Sequence, residues 1–294
     1  MPVPLLNTKG THWSSEDGFR YCEHLARTHY ENFPVASRFV PKDLRKYVWA
    51  IYAFARTADD FADEPGYTLA ERIDNLNGWE EQLFEAYDGN PSHRVFAALA
   101  ETVERFQIPV ELFQDLLAAF RSDISTHRYE TFDDVVFYCS HSANPIGRLM
   151  LILFNYRSER LMELSDSLCT ALQLTNFWQD ISVDIKKNRI YIPQQDMEEF
   201  HYTEQDLLKG TFDDRFRNLL AFEMRRTMEL FLASKPLLAM VKKPLSMELA
   251  LTWHGGTQIL EKIQNQNFNV FAQRPALSFI NKAALLFRTI SMYL

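Results

Sequence analysis

Two short stretches of this sequence crowd oxygen-bearing side chains onto one side of a helix. In Tyr52-Ala-Phe-Ala-Arg56-Thr-Ala-Asp59-Asp60-Phe-Ala-Asp63-Glu64, Asp59 and Asp63 stand four residues apart and share a helical face. Tyr52 and Arg56 lie on that face in the preceding turns. In Gln173-Leu-Thr-Asn176-Phe-Trp-Gln-Asp180-Ile-Ser-Val-Asp184, Asn176, Asp180 and Asp184 occupy successive i, i+4 and i+8 positions, and Gln173 lines the same side. Lys186, Lys187 and Arg189 follow at once. Like charges at this spacing destabilise a helix by roughly 0.2–0.5 kcal/mol per pair. One such pair reads as a solvated face, as do Asp133-Asp134 and Asp213-Asp214. Two stripes in one helical chain call for a cation. Oxygen-only ligands suit a hard ion such as Mg²⁺, which takes one or two carboxylates and completes its shell with water and phosphate oxygens. Asp59, Asp63, Asn176, Asp180 and Asp184 are therefore the expected metal ligands. With Arg56, Lys187 and Arg189 to bind oxygens, the two stripes describe a diphosphate trap. Asp60 is a weaker ligand candidate, turned about 100° from Asp59.

The elements that must carry these stripes read almost entirely as helix. Apolar spacings of three and four mark residues 41–62, 68–87, 93–106, 110–125, 131–140, 145–154, 165–184, 213–232, 246–263 and 275–293. Residues 189–193 read as extended, because the residue before a proline avoids the helical region. No stretch alternates like a strand, no repeat is visible, and no linker divides the chain. The expected fold class is all-α: one domain over residues 1–294, with helices gathered around a central cavity. An apolar remainder of that cavity would suit a long hydrocarbon.

Composition narrows the function. The 294 residues are 47% hydrophobic and 24% charged, which excludes disorder as the main state. Only 9 glycines argue against turn-dense β folds and Gly-rich dinucleotide loops. A net charge of −8 argues against nucleic acid as a partner. Cys22, Cys139 and Cys169 form no paired motif and read as reduced thiols of a reducing compartment. Neither a signal peptide nor an apolar run long enough to span a bilayer is visible. The expectation is a cytoplasmic protein, soluble or peripheral at an inner membrane through an exposed apolar patch.

Asp59-Asp60-Phe-Ala-Asp63, then Asn176-x-x-x-Asp180-x-x-x-Asp184, then Asn188-Arg-Ile-Tyr-Ile-Pro193 together resemble the squalene/phytoene synthase family. The resemblance covers about residues 20–263. It implies the isoprenoid synthase fold and a Mg²⁺-dependent reaction on prenyl diphosphates. His29-Tyr-Glu-Asn-Phe-Pro-Val-Ala-Ser37 and Tyr138-Cys-Ser-His-Ser-Ala-Asn-Pro-Ile-Gly-Arg148 resemble the HpnC branch, the hydroxysqualene synthases. That branch implies conversion of presqualene diphosphate to hydroxysqualene for hopanoid synthesis, with sister enzymes of squalene biosynthesis as partners. His29 then joins Arg56, Gln173, Lys187 and Arg189 as a diphosphate-binding residue. Tyr52 and Tyr138 become the catalytic candidates, and Phe33, Phe177 and Trp178 join Tyr138 as a wall around a carbocation. Tyr30 and Asn32 stand where the condensing members carry serines, and Gln179 where many members carry arginine, which argues against a first condensation of two farnesyl diphosphates. That condensation is the alternative within the same fold. A di-iron bundle would need two Glu-x-x-His motifs, and only Glu198-x-x-His201 is present. A non-catalytic helical scaffold would leave both stripes unexplained.

Overall fold

The computed structural model describes residues 13–28 and 39–278 and the single positions 281, 285, 287 and 289. His29, Tyr30, Asn32 and Phe33 lie outside the described residues, as does most of the helix expected over 275–293.

The described residues contain helices and no strand. In chain order they are α1 (Ser15–Thr28), α2 (Lys42–Asp63), α3 (Leu69–Tyr87), α4 (Arg94–Phe106), α5 (Glu111–Ser125), α6 (Phe132–Ser142), α7 (Asn144–Leu153) and α8 (Glu159–Asp184). After a 3-10 turn (Ile185–Lys187) come α9 (Gln194–Glu199), α10 (Glu204–Lys209), α11 (Asp214–Ser234), α12 (Leu237–Met240) and α13 (Leu245–Asn265). The all-α expectation holds. Boundaries fall where side chains can satisfy the free backbone groups of a helix end. Thr68 and Glu71 close a capping box on α3, and Thr131 and Asp134 close another on α6. Helix α8 begins six residues before the expected start, because Leu161, Leu164 and Leu168 already bury a face at helical spacing. The expectation omitted α1, which buries Phe19, Cys22, Leu25 and Ala26.

The chain forms two compact units, residues 1–125 with 148–157, and residues 126–147 with 158–294. The first packs rings behind α2. Phe54 lies 5.0 Å from Phe113, 6.0 Å from Phe96 and 6.1 Å from Trp79, and Trp79 donates its indole N–H to the Phe54 carbonyl at 3.3 Å. Gly18 lets α1 press against α4, since a Cβ there would sit 2.5 Å from the Arg94 carbonyl oxygen. In the second unit α8 packs against α11 and α13. Trp178 is fully buried and donates to Thr227 Oγ1 at 2.8 Å, while Trp253 donates to the Phe231 carbonyl at 2.8 Å. Each fully buried aromatic side chain contributes about 1.5–3 kcal/mol, so both stripes sit on rigid backing.

Candidate functional site

The first stripe is the half-buried side of α2. Ala53, Phe54, Thr57, Ala58, Phe61 and Ala62 turn into the core, which leaves Tyr52, Arg56, Asp59, Asp60 and Asp63 along the other side. Arg56 reaches forward one turn, 3.3 Å from Asp59 and 2.5 Å from Asp60. Burial opposes its charge, yet Asp59 and Asp60 outweigh that and hold its pKa above the ordinary arginine value. The Asp59 side chain is 42% exposed and that of Asp60 12%, so Asp59 is the one presented outward. The Nε of Arg56 is buried and makes no hydrogen bond among the described residues. At the end of α2, Arg72 donates to the Ala62 carbonyl and, at 2.8 Å, to the Glu64 carbonyl, which fixes the turn that carries Asp63.

The second stripe is the outer side of α8. Phe177, Trp178, Gln179 and Ile181 are buried, whereas Gln173, Asp180 and Asp184 are half-buried and Asn176 is exposed. Arg274 takes both carboxylate oxygens of Asp180, one of them at 2.9 Å through Nη2. Gln179 donates its amide to the adjacent Pro275 carbonyl. Burial first, and then the Asp180 charge, push the Asp184 carboxyl up to about 7, against the pull of Arg189, Lys187 and Arg274. A buried carboxyl pushed up beside a second carboxylate marks a place where a cation would be welcome.

Beyond Asp184 the chain turns sharply. Asn188 adopts φ 60 and ψ 28, and the Arg189 N–H donates back to the Asp184 carbonyl at 2.9 Å. Residues 189–193 are non-helical, as expected, with a bend at Ile192, and run beside residues 127–130. Ile190 N–H donates to the His127 carbonyl at 3.0 Å, and Gln194 N–H to the Tyr129 carbonyl at 2.9 Å. This pairing gathers four rings. Phe177 stacks on Tyr191 at 3.7 Å with 5° between planes, and Tyr129 stacks on the same Tyr191 at 5.7 Å. Tyr138 lies 5.7 Å from Tyr129, 6.0 Å from Tyr191 and 6.1 Å from Phe177. A cavity of about 10 Å³, enough for roughly one water, has Phe177, Ile181, Asp184, Arg189 and Tyr191 among its walls.

Within the second unit, then, the structure brings Asp180, Asp184, Lys187 and Arg189 into one electrostatic neighbourhood, and places Tyr138 against Phe177. Within the first it joins Arg56 to Asp59 and Asp60. Among the described residues no three His, Cys, Asp or Glu side chains close into a protein-only metal cage. That donor set still fits Mg²⁺, which needs few carboxylates when phosphate supplies the remaining oxygens. Sequence reasoning missed Arg274, Tyr129, Tyr191 and Arg128. The last three sit in Arg128-Tyr129 and Arg189-Ile-Tyr191, where basic and aromatic residues adjoin, and pairing of the two segments unites them.

An all-helical chain with acidic stripes on two of its long helices has the features of an isoprenoid synthase fold. Known proteins of similar sequence and structure agree. Residues 26–281 match the family model for squalene/phytoene synthase. Phytoene synthase of Arthrospira platensis is 31% identical over 92% of this chain and 91% of its own. The 15-cis-phytoene synthase of Synechocystis sp. is 30% identical over 89% of this chain and 81% of its own. The crystal structure of squalene synthase HpnC from Alicyclobacillus acidocaldarius superposes with a TM-score of 0.83 and 38% identity, covering 87% of this chain and 96% of that one. A dehydrosqualene synthase crystal structure gives a TM-score of 0.84 at 25% identity, over 95% and 97% of the two chains. The chain belongs to the squalene/phytoene synthase family, whose enzymes carry out head-to-head chemistry on prenyl diphosphates. No helix among the described residues is long and apolar enough to cross a membrane.

Proposed function

We propose that this enzyme converts presqualene diphosphate to hydroxysqualene and diphosphate, using Mg²⁺ and no NADPH, in the cytoplasm of a bacterium that makes hopanoids. The observation that carries this reading is the likeness to squalene synthase HpnC, at 38% identity over 96% of that chain. The dehydrosqualene synthase of similar fold is 25% identical. Gln179 supports it at residue level, since its amide is committed to the Pro275 carbonyl where many family members carry an arginine.

Asp59 and Asp63 on α2, and Asn176, Asp180 and Asp184 on α8, would hold the metal. Mg²⁺, when bound, neutralises the departing diphosphate. Arg56, Lys187 and Arg189 would bind diphosphate oxygens, and Tyr52 and Gln173 line the stripes. Breaking the C–O bond leaves a cyclopropylcarbinyl cation on the hydrocarbon. Tyr138, Phe177, Tyr191 and Tyr129 would form an aromatic wall that shields such a charge from early quenching. Water then adds its oxygen to the rearranged cation and gives up one proton, so the alcohol forms with no redox partner.

The curated phytoene synthases favour a second reading, in which two prenyl diphosphates are condensed. Product analysis separates the two. The purified enzyme with Mg²⁺ is given presqualene diphosphate or farnesyl diphosphate, without NADPH. Hydroxysqualene from presqualene diphosphate alone is the expected result. Presqualene diphosphate or dehydrosqualene formed from farnesyl diphosphate would replace the first reading with the second.

A further inference from the structure

We infer that Arg128 is a positioning residue for the second stripe: clamped by Glu204, it sets the left-handed turn at Asn188 and thereby the bearing of Asp184 and Arg189 on a Mg²⁺–diphosphate. The inference rests on the reading that Asp184 and Arg189 engage that group.

The guanidinium of Arg128 is fully committed. Its Nε donates to Glu204 Oε2 at 3.1 Å, and Nη2 donates to Glu204 Oε1 at 2.7 Å and to Asn188 Oδ1 at 2.9 Å. Nη1 donates to the Asn188 carbonyl at 2.5 Å and to the carbonyl of His127 at 2.8 Å. A guanidinium has five N–H donors in a fixed fork, and all five are used. None is left for a substrate, so Arg128 acts through what it holds.

What it holds is the turn between Asp184 and Arg189. Asn188 sits at φ 60, a left-handed conformation uncommon outside glycine and best tolerated by Asn and Asp. Both its side-chain oxygen and its carbonyl oxygen end on Arg128. On one side of this turn the Asn188 N–H donates to the Ile185 carbonyl at 3.1 Å, and the Arg189 N–H donates to the Asp184 carbonyl at 2.9 Å. On the other, the Ile190 N–H donates to the carbonyl of His127, the residue before Arg128. The clamp therefore grips the link between a carboxylate and a cation of the stripe from both directions. Glu204, at the start of α10, anchors the clamp from a third segment, and Arg128 in turn holds the Glu204 carboxyl below the usual carboxylate range. The pair is partly exposed, with side chains 22% and 39% accessible, so it adds little stability and its effect is geometric. A lysine could supply the charge but not the fork that meets Asn188 and Glu204 together.

The test is calorimetric binding of Mg²⁺ with pyrophosphate to the full chain and to R128Q, R128K and N188G, with steady-state kinetics and melting curves alongside. R128Q and R128K should each weaken Mg²⁺-dependent pyrophosphate binding and raise KM by about tenfold, the scale on which outer-shell partners act. The change in kcat should be far smaller, and R128K should not rescue. N188G keeps the turn, since glycine adopts positive φ freely, and keeps the carbonyl acceptor, so its loss should be smaller than that of R128Q. Wild-type binding and KM in R128K and R128Q overturn the inference. Should R128Q fail to fold, wild-type behaviour of R128K and N188G overturns it equally. A wild-type protein that takes up no Mg²⁺–pyrophosphate overturns the metal-site reading itself, and the clamp's role with it.

Discussion

The two acidic stripes are alike in backbone and differ in where their counter-charge comes from. On α2 the cation is Arg56, three and four residues before Asp59 and Asp60 on the same helix. On α8 the cation on Asp180 is Arg274, 94 residues further along the chain. Both stripes run to the C-terminal end of their helix, where unsatisfied carbonyls favour cations. Both ends are held by an arginine from another segment, Arg72 on the Ala62 and Glu64 carbonyls and Arg128 on Asn188. A helix can supply the ligands and one local counter-ion unaided. Fixing the direction of the last carboxylate takes a residue from elsewhere.

The largest effect expected from this comparison is equal dependence on both stripes. Asp59→Ala and Asp180→Ala should each lower turnover by at least about a hundredfold, with far-ultraviolet circular dichroism unchanged, because direct ligands matter more than outer-shell partners. Asp60→Ala should cost much less than Asp59→Ala, since its side chain is the less exposed of the two. The reverse order would move the metal face of α2 by one residue.

The next effect sets the two units against each other in pH. In the first, His93 caps α4 by accepting from Val95 N–H at 3.2 Å, and burial pushes its pKa down to about 4 from 6.5. The neutral ring is the stable form, so its contribution is full above pH 6.5 and is lost as pH falls toward 4. In the second, Glu223 is wholly buried on α11, and burial pushes its carboxyl up to about 8 from 4.5, although Arg226 lies 2.7 Å away. The folded state then holds that proton more tightly than the unfolded one, so stability falls as pH rises from 4.5 through 8. At about 1.4 kcal/mol per pKa unit, the His93 limb is on the order of 3–4 kcal/mol and the Glu223 limb is the larger of the two. Urea unfolding across pH should show His93→Asn flattening the acid limb and Glu223→Gln flattening the alkaline limb. Either variant flattening the other limb would refute this division.

The smallest effect concerns the helix starts. Thr68→Ala on α3 and Thr131→Ala on α6 each break a capping box and should cost about 1 kcal/mol in urea unfolding. A change several times larger at either would mean that the helix carries more of its unit than its cap.

What could be read in advance follows the same local and distant division. The stripes, Arg56, the non-helical 189–193 segment and most helix spans were legible, because each depends on spacing within one element. The aromatic group around Tyr138 was half legible. Phe177 stands in the second stripe, but Tyr129 and Tyr191 reach it only through the pairing of residues 127–130 with 190–195. Arg274 follows a stretch without helical spacing, and nothing near it in sequence points to Asp180. Arg128 was invisible for the same reason, since its partners lie 60 and 76 residues away. Helix α1 was missed because its buried face, Phe19, Cys22, Leu25 and Ala26, lies in a segment dense with charge.

We propose that Mg²⁺-dependent diphosphate binding needs the carboxylates of the α2 stripe and those of the α8 stripe. Calorimetric titration of pyrophosphate into the wild-type chain, Asp59→Ala and Asp180→Ala, with and without Mg²⁺, tests it most directly. The wild type should bind only when Mg²⁺ is present, and each single variant should lose that binding. Binding without Mg²⁺, or wild-type binding by either variant, would contradict it.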